Sequence, residues 1–298
     1  VKRFAAVVLG LLLAIIPAAG MAFGKANREA EMTRAARGIF AKSKDPRQVA
    51  QLLKRHGARF LGYRQNTVTF VNTGEAVVPA RSKSETVGPE FQATSEVTTL
   101  SKEAAALIDV EAATAVAGAE RIAPTAGEKV DLTLTLWLYE WRNQDGTYTE
   151  QAYLNGHWSS TEYRWLDDPV DVIDVRWIVG DLVFSSSTPY DGVQRDQHTN
   201  GIASYTVGDQ VQDWDLYVNF RPTSPNVYGR NSNIFVNYTH TWWGVKLGIT
   251  LNGGPTGNPG SISINTDAKL WTEGTGILFR IGSGETRGPA ITSLPETK

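Results

Sequence analysis

The stretch Lys129-Val130-Asp131-Leu132-Thr133-Leu134-Thr135-Leu136-Trp137-Leu138-Tyr139 decides the fold. Val130, Leu132, Leu134, Leu136 and Leu138 fall on every second position, so in a β-strand they share one aliphatic face. Asp131, Thr133, Thr135, Trp137 and Tyr139 share the other. Gln144-Asp145-Gly146 then interrupts the pattern, and a second strand follows toward Trp158. A two-residue Asp-Gly turn would set Leu138 opposite Tyr153 and Leu136 opposite Asn155, which puts polar groups in the core. A three-residue loop with Gly146 in the left-handed region pairs Leu138 with Ala152, Leu136 with Leu154 and Leu132 with Trp158 instead. That register keeps one face apolar on both strands, and it is the one the sequence predicts. The opposite face then pairs Trp137 with Tyr153 and Tyr139 with Gln151, with Trp141 near the loop.

Further strands are expected over 172–178, 181–187, 202–207, 214–220, 233–242, 245–251, 261–265 and 276–281, separated by Gly, Pro, Asn and Asp clusters. About ten strands with connections too short for helical crossovers predict a mainly β fold, an antiparallel β-sandwich over residues 127–283. A small basic αα-β-β unit over 23–72 should precede it. Met32, Ala35, Ala36, Ile39 and Phe40 recur at helical spacing. Asp45-Pro46 then reads as a capped start of a second helix, with Val49, Leu52 and Leu53 as its apolar stripe and Gly57 as its end. Residues 59–63 and 67–71 read as two short strands. The Pro-, Ser-, Thr- and Ala-rich residues 73–126 read as a linker with one helix over 101–118, and 284–298 as a disordered tail.

Lys2 and Arg3, the apolar run from Phe4 to Ile16, Pro17 and the small residues Gly20 and Ala22 have the layout of a signal peptide over 1–22. The run of thirteen residues is short of the roughly twenty that a spanning helix needs. The expectation is therefore a secreted or cell-surface protein without a membrane span after cleavage. The chain contains no cysteine, which excludes disulfides, thiolate metal sites and cysteine nucleophiles together. Charge is unevenly distributed. Residues 25–57 hold nine Lys or Arg against three acids, whereas the residues from 58 onward hold about −10 of a chain whose net charge is −2. An acidic main domain argues against nucleic acid as its partner.

Tyr238-Thr239-His240-Thr241-Trp242, Asp168-Pro169-Val170-Asp171-Val172 and Trp177 resemble a group of exported bacterial and archaeal proteins that share a Tyr-x-His-Thr-Trp motif and have no assigned activity. The resemblance covers roughly residues 130–281. It implies an extracellular β-rich domain and transfers no catalytic residue.

The four histidines lack ligand spacing, and His240 lies on the Ile234, Val236, Tyr238 side of its strand. It should be buried there with a ring nitrogen bonded to a neighbouring strand. Asp167, Asp168 and Asp171, with Asp174, form an acidic run that either starts a turn or holds calcium. No other cofactor is indicated. Glu140 and Glu150 are cross-strand partners at the end of the hairpin, where two close carboxyls raise each other's pKa. Such a pair is either a general acid for glycoside hydrolysis or a solvated sheet end beside Arg142. Trp137, Tyr139, Trp141 and Tyr153 share one face. They form either a surface for stacking sugar rings or a face covered by another layer. These features predict an exported, non-enzymatic binding or structural protein, with polysaccharide or another envelope component as partner. The alternative is a secreted polymer hydrolase whose basic 23–72 unit is a pro-segment.

Overall fold

The hairpin forms in the expected register. In the computed structural model, which describes residues 28–72, 77–88, 93–99, 129–159, 170–208, 211–242, 247–266 and 269–282, strand β4 (Lys129–Arg142) pairs with β5 (Tyr148–Trp158). Leu138 faces Ala152, Leu136 faces Leu154 and Leu132 faces Trp158. Asn143 N–H donates to Thr147 O at 2.7 Å and Gly146 N–H to Asn143 O at 3.1 Å, which closes the three-residue loop. Gly146 sits at φ 82°, where a side chain would be strained.

Upstream of β4 lie helix α1 (28–42), helix α2 (Pro46–Arg55), β1 (Ala58–Asn72), β2 (Val77–Val87) and β3 (Ala93–Thr99). Downstream of β5 follow β6 (Val170–Trp177), β7 (Leu182–Tyr190), β8 (Val193–Thr199), β9 (Ile202–Gly208) and β10 (Asp213–Pro222). The last four are β11 (Asn231–Trp242), β12 (Leu247–Asn252), β13 (Ser261–Thr266) and β14 (Lys269–Arg280). A seven-stranded sheet in the order β3-β2-β1-β4-β5-β10-β7 packs on a five-stranded sheet in the order β14-β11-β6-β9-β8, and β12–β13 form a separate ribbon. Every ladder between these strands is antiparallel, so the protein is a β-sandwich carrying two N-terminal helices.

The aliphatic face of β4 points between the sheets. Leu132, Leu136, Leu138, Ala152 and Leu154 meet Ile173, Val175, Ile234, Val236 and Phe279 there in one buried cluster. Trp214 also reaches into this layer and stacks on Tyr238 with centroids 5.8 Å apart. It fits because Gly156 lies beneath it; a Cβ at Gly156 would stand 2.1 Å from the indole. At the β7–β8 corner the chain leaves the long sheet and joins the short one through Asp191 and Gly192, both at positive φ.

Three expectations are corrected. The residues expected as two short strands form the single strand β1, whose ladder with β4 shifts register between Phe60 and Gly62. The expected linker over 73–126 contains β2 and β3, and Ser101–Gly118, where a helix was expected, lies outside the described residues. No domain boundary separates the basic N-terminal unit from the sandwich, because β1 is an interior strand bonded to β2 on one side and β4 on the other. The segments 1–22 and 284–298 also lie outside the described residues.

Candidate functional site

The aromatic face of the hairpin is closed. Trp137, Tyr139, Trp141 and Tyr153 are each at most 1% exposed, so of the two readings of this face the covered one holds and these four residues form no open stacking surface. The cause lies in the N-terminal helices. Met32, Ala36, Ile39 and Phe40 of α1 and Val49, Ala50 and Leu53 of α2 bury their stripe against these rings, with Ala58, Phe60 and Tyr63 of β1. Phe40 sits at the centre, 4.2 Å from the Tyr153 ring and 5.1 Å from Trp137. Both helices therefore exist to match a face that water would otherwise wet. Asp45 caps α2 by accepting from Gln48 N–H at 2.8 Å, Pro46 opens the first turn, and Gly57 follows its end.

Polar bonds fix the orientation of this layer. The Gln151 amide donates to Thr33 Oγ1 at 2.8 Å and to Asn219 Oδ1 at 2.7 Å, and it accepts from Trp141 Nε1 at 3.2 Å. Glu29, 5% exposed, accepts from the Ser185 hydroxyl at 2.6 Å, from the Ser186 hydroxyl and from Arg221. This clamp ties the start of α1 to the β7–β10 edge.

The other end of α1 borders a cavity of about 490 Å³. Arg37, Phe40, Lys42, Ser43 and Lys44 form its helix-side wall, and Tyr153, Asp215 and Tyr217 form its sheet side. Lys44 Nζ donates to the Tyr153 hydroxyl at 2.9 Å, and that hydroxyl donates to Asp215 Oδ1 at 2.7 Å. Asn155 Nδ2 donates to the same oxygen at 2.9 Å. Arg37 is held with its guanidinium 4.2 Å from the Tyr190 ring centre. Burial and the Asp215 charge push the Tyr217 hydroxyl far above its ordinary range, so it stays protonated. Beyond the helices the same sheet face is polar and open, with His157 and Asp213 exposed and 2.7 Å apart. Arg34, Arg37, Lys42, Arg47, Lys54 and Arg55 are exposed on the two helices and Lys44 in the connection between them, against exposed Glu31 and Asp45.

The remaining candidates are built into the core. His240 is buried, and its Nδ1 lies 2.6 Å from Asp171 Oδ1 on the neighbouring strand, as expected; the Tyr238 hydroxyl donates to Asp171 Oδ2. That bonding corrects the assignment of Asp171 to a metal site. Asp171 and Asp174 also point to opposite faces of β6, where Asp174 meets Arg176 and Asn237, so they cannot share an ion. Asp167 and Asp168 lie outside the described residues, among which no cluster of three or more His, Asp or Glu could hold a metal.

Glu140 and Glu150 face one another as expected, but both are buried rather than solvated. Glu140 accepts from Arg59 Nε at 3.1 Å and from Gly282 N–H at 2.7 Å. Arg59, not Arg142, is therefore the cation of the pair. Among the described residues, neither Glu150 oxygen has a hydrogen-bond partner. Burial, then the neighbouring Glu140, pushes the Glu150 carboxyl well above its ordinary range, so it is held as the neutral acid. At 0% exposure this carboxyl meets no substrate.

The basic exposed face was legible as a charge run, and the cavity beside it was not. Its parts come from positions 37–44, 153 and 215–217, and each is ordinary in its local sequence. A comparison of the sequence with known protein families and with curated proteins finds no match in either. Among the described residues no helix is long and apolar enough to cross a membrane.

Proposed function

We propose that the protein is exported and acts at the cell surface as a non-enzymatic binding or structural protein for acidic polysaccharide. The observation that carries this reading is the exposed basic face of α1 and α2 on an otherwise acidic chain. Seven exposed cations on one layer attract a polyanion over several ångströms. The rigid attachment of the helices through Glu29, Gln151 and Phe40 holds that charge in a fixed pattern.

A pro-segment role for residues 23–72 fits poorly. Cleavage after 72 would remove an interior strand and uncover Trp137, Tyr139 and Tyr153. Mass spectrometry of the protein from culture medium is expected to find a mature N-terminus at residue 23.

Affinity electrophoresis through polygalacturonate or neutral dextran tests the binding. Polygalacturonate should retard the full chain at low salt, with the effect fading as salt rises, and dextran should not. Reversing Arg47, Lys54 and Arg55 to Glu should weaken retardation about tenfold or more. Equal retardation by both polymers, or by neither, would remove this reading.

A further inference from the structure

We infer that the cavity between the C-terminal end of α1 and strands β5 and β10 binds one carboxylated sugar residue. This deepens the polysaccharide reading and rests on it for the class of ligand, but it depends on different side chains. The volume of about 490 Å³ lies inside the about 300–1,000 Å³ range of small-molecule sites and has room for a pyranose ring with its substituents.

Three cations, Arg37, Lys42 and Lys44, line the cavity against the single carboxylate of Asp215. That balance suits a ligand carrying one negative charge together with groups able to donate to Asp215. Both bonds that Asp215 accepts from protein, those of Tyr153 and Asn155, fall on Oδ1. Oδ2 is left without a donor among the described residues and can accept from sugar hydroxyls. A phosphate dianion brings only one such donor and sets two negative charges, not one, beside the same carboxylate.

Phe40, Tyr153 and Tyr217 back the cavity at no more than 2% exposure each, so recognition falls to Arg37, Lys42, Lys44 and Asp215.

The wall is also already arranged. Lys44 is held by the Tyr153 hydroxyl and Arg37 by the Tyr190 ring, so neither side chain must be ordered when a carboxylate enters. In the assigned pose the ligand carboxylate meets Lys44 and Arg37, and its hydroxyls meet Asp215 Oδ2.

Isothermal titration of the full chain with a short galacturonic-acid oligomer tests this, with the neutral galactose oligomer and inorganic phosphate as the other probes. One site per chain is expected for the acidic oligomer and none for either control. Lys44→Met and Asp215→Asn should each lower affinity at least tenfold. Lys44 is exposed, and an unchanged thermal midpoint of Lys44→Met will show that its loss of affinity is not a loss of fold. Unaltered oligomer binding in Lys44→Met and Asp215→Asn, or phosphate binding as tight as the oligomer, would overturn the assignment. Two split outcomes separate it from the polysaccharide reading. Polymer retardation that depends on Arg47, Lys54 and Arg55, with no oligomer binding, refutes the cavity alone. Oligomer binding that depends on Lys44 and Asp215, with no polymer retardation, refutes the basic-face reading alone.

Discussion

On its even-numbered side β4 meets hydrocarbon from the opposing sheet; on its odd-numbered side it meets two helices and a chain of amides and hydroxyls. Leu132, Leu136 and Leu138 need nothing from their partners beyond shape, so the inner layer is sealed by Ile173, Val175, Ile234 and other apolar residues. Trp137, Tyr139, Trp141 and Tyr153 carry polar tips that gain from a bond when buried, and among the described residues the Tyr139 hydroxyl alone of these is left buried without one. Trp141 finds Gln151, and Tyr153 finds Lys44 and Asp215. The difference teaches that an aromatic face can be closed as tightly as an aliphatic one. It then fixes the orientation of what covers it, because hydrogen bonds are directional and dispersion is not.

The sharpest way to break this comparison is to truncate one residue in each layer. Trp137→Ala should cost about 3–5 kcal/mol and Leu136→Ala about 2–5 kcal/mol in denaturant unfolding. Both should shift a single transition. A Trp137→Ala protein that loses only an early helical transition would show the two layers to be separate units.

Removing the clamp comes next. Glu29→Ala leaves Arg221, Ser185 and Ser186 without their shared acceptor and should cost about 3 kcal/mol, read as a lower denaturant midpoint. A change within experimental scatter would mean that apolar packing alone orients α1.

Glu150 sharpens the comparison from the aliphatic side, where a lone carboxyl sits without a partner. Its pKa is raised in the folded protein, so folding holds a proton that the unfolded chain releases above the ordinary carboxyl value. The contribution to stability is full below that value and is lost as pH rises toward the folded-state value. Glu150→Gln removes the proton while keeping the shape. It should change little near pH ~4 and add about 1–2 kcal/mol at pH ~7. Stabilisation that is equal at both pH values would contradict a neutral Glu150. The smallest expected effect is that of Gly146→Ala, which forces a side chain to φ 82° and should cost about 1 kcal/mol without moving the β4–β5 register.

The β4–β5 hairpin was legible because its alternation is strict and only one loop length keeps both strands apolar on one side. The helices were legible for the same reason at a different period. What covers the Trp137 face was not, since periodicity states which residues share a face and not which element closes it. Strands β2 and β8 escaped because they show little apolar alternation; β2 buries Ala80, Ser82 and Val87, and β8 buries Val193. The Asp171–His240 contact joins residues far apart in the chain, and a single sequence shows only that each lies on a strand. Arg59 reaches Glu140 through the β1–β4 ladder, which could not be foreseen while β1 was placed in a separate unit.

The central claim is that α1 and α2 are a fixed third layer of the sandwich, closing its aromatic face and presenting the basic one. Native-state hydrogen exchange followed by mass spectrometry on the full chain tests it most directly. Peptides from 28–42 and from 129–142 should open with the same free energy and lose protection together as denaturant is added. Exchange of 28–42 at the rate of an unfolded peptide, while 129–142 stays protected, would contradict it.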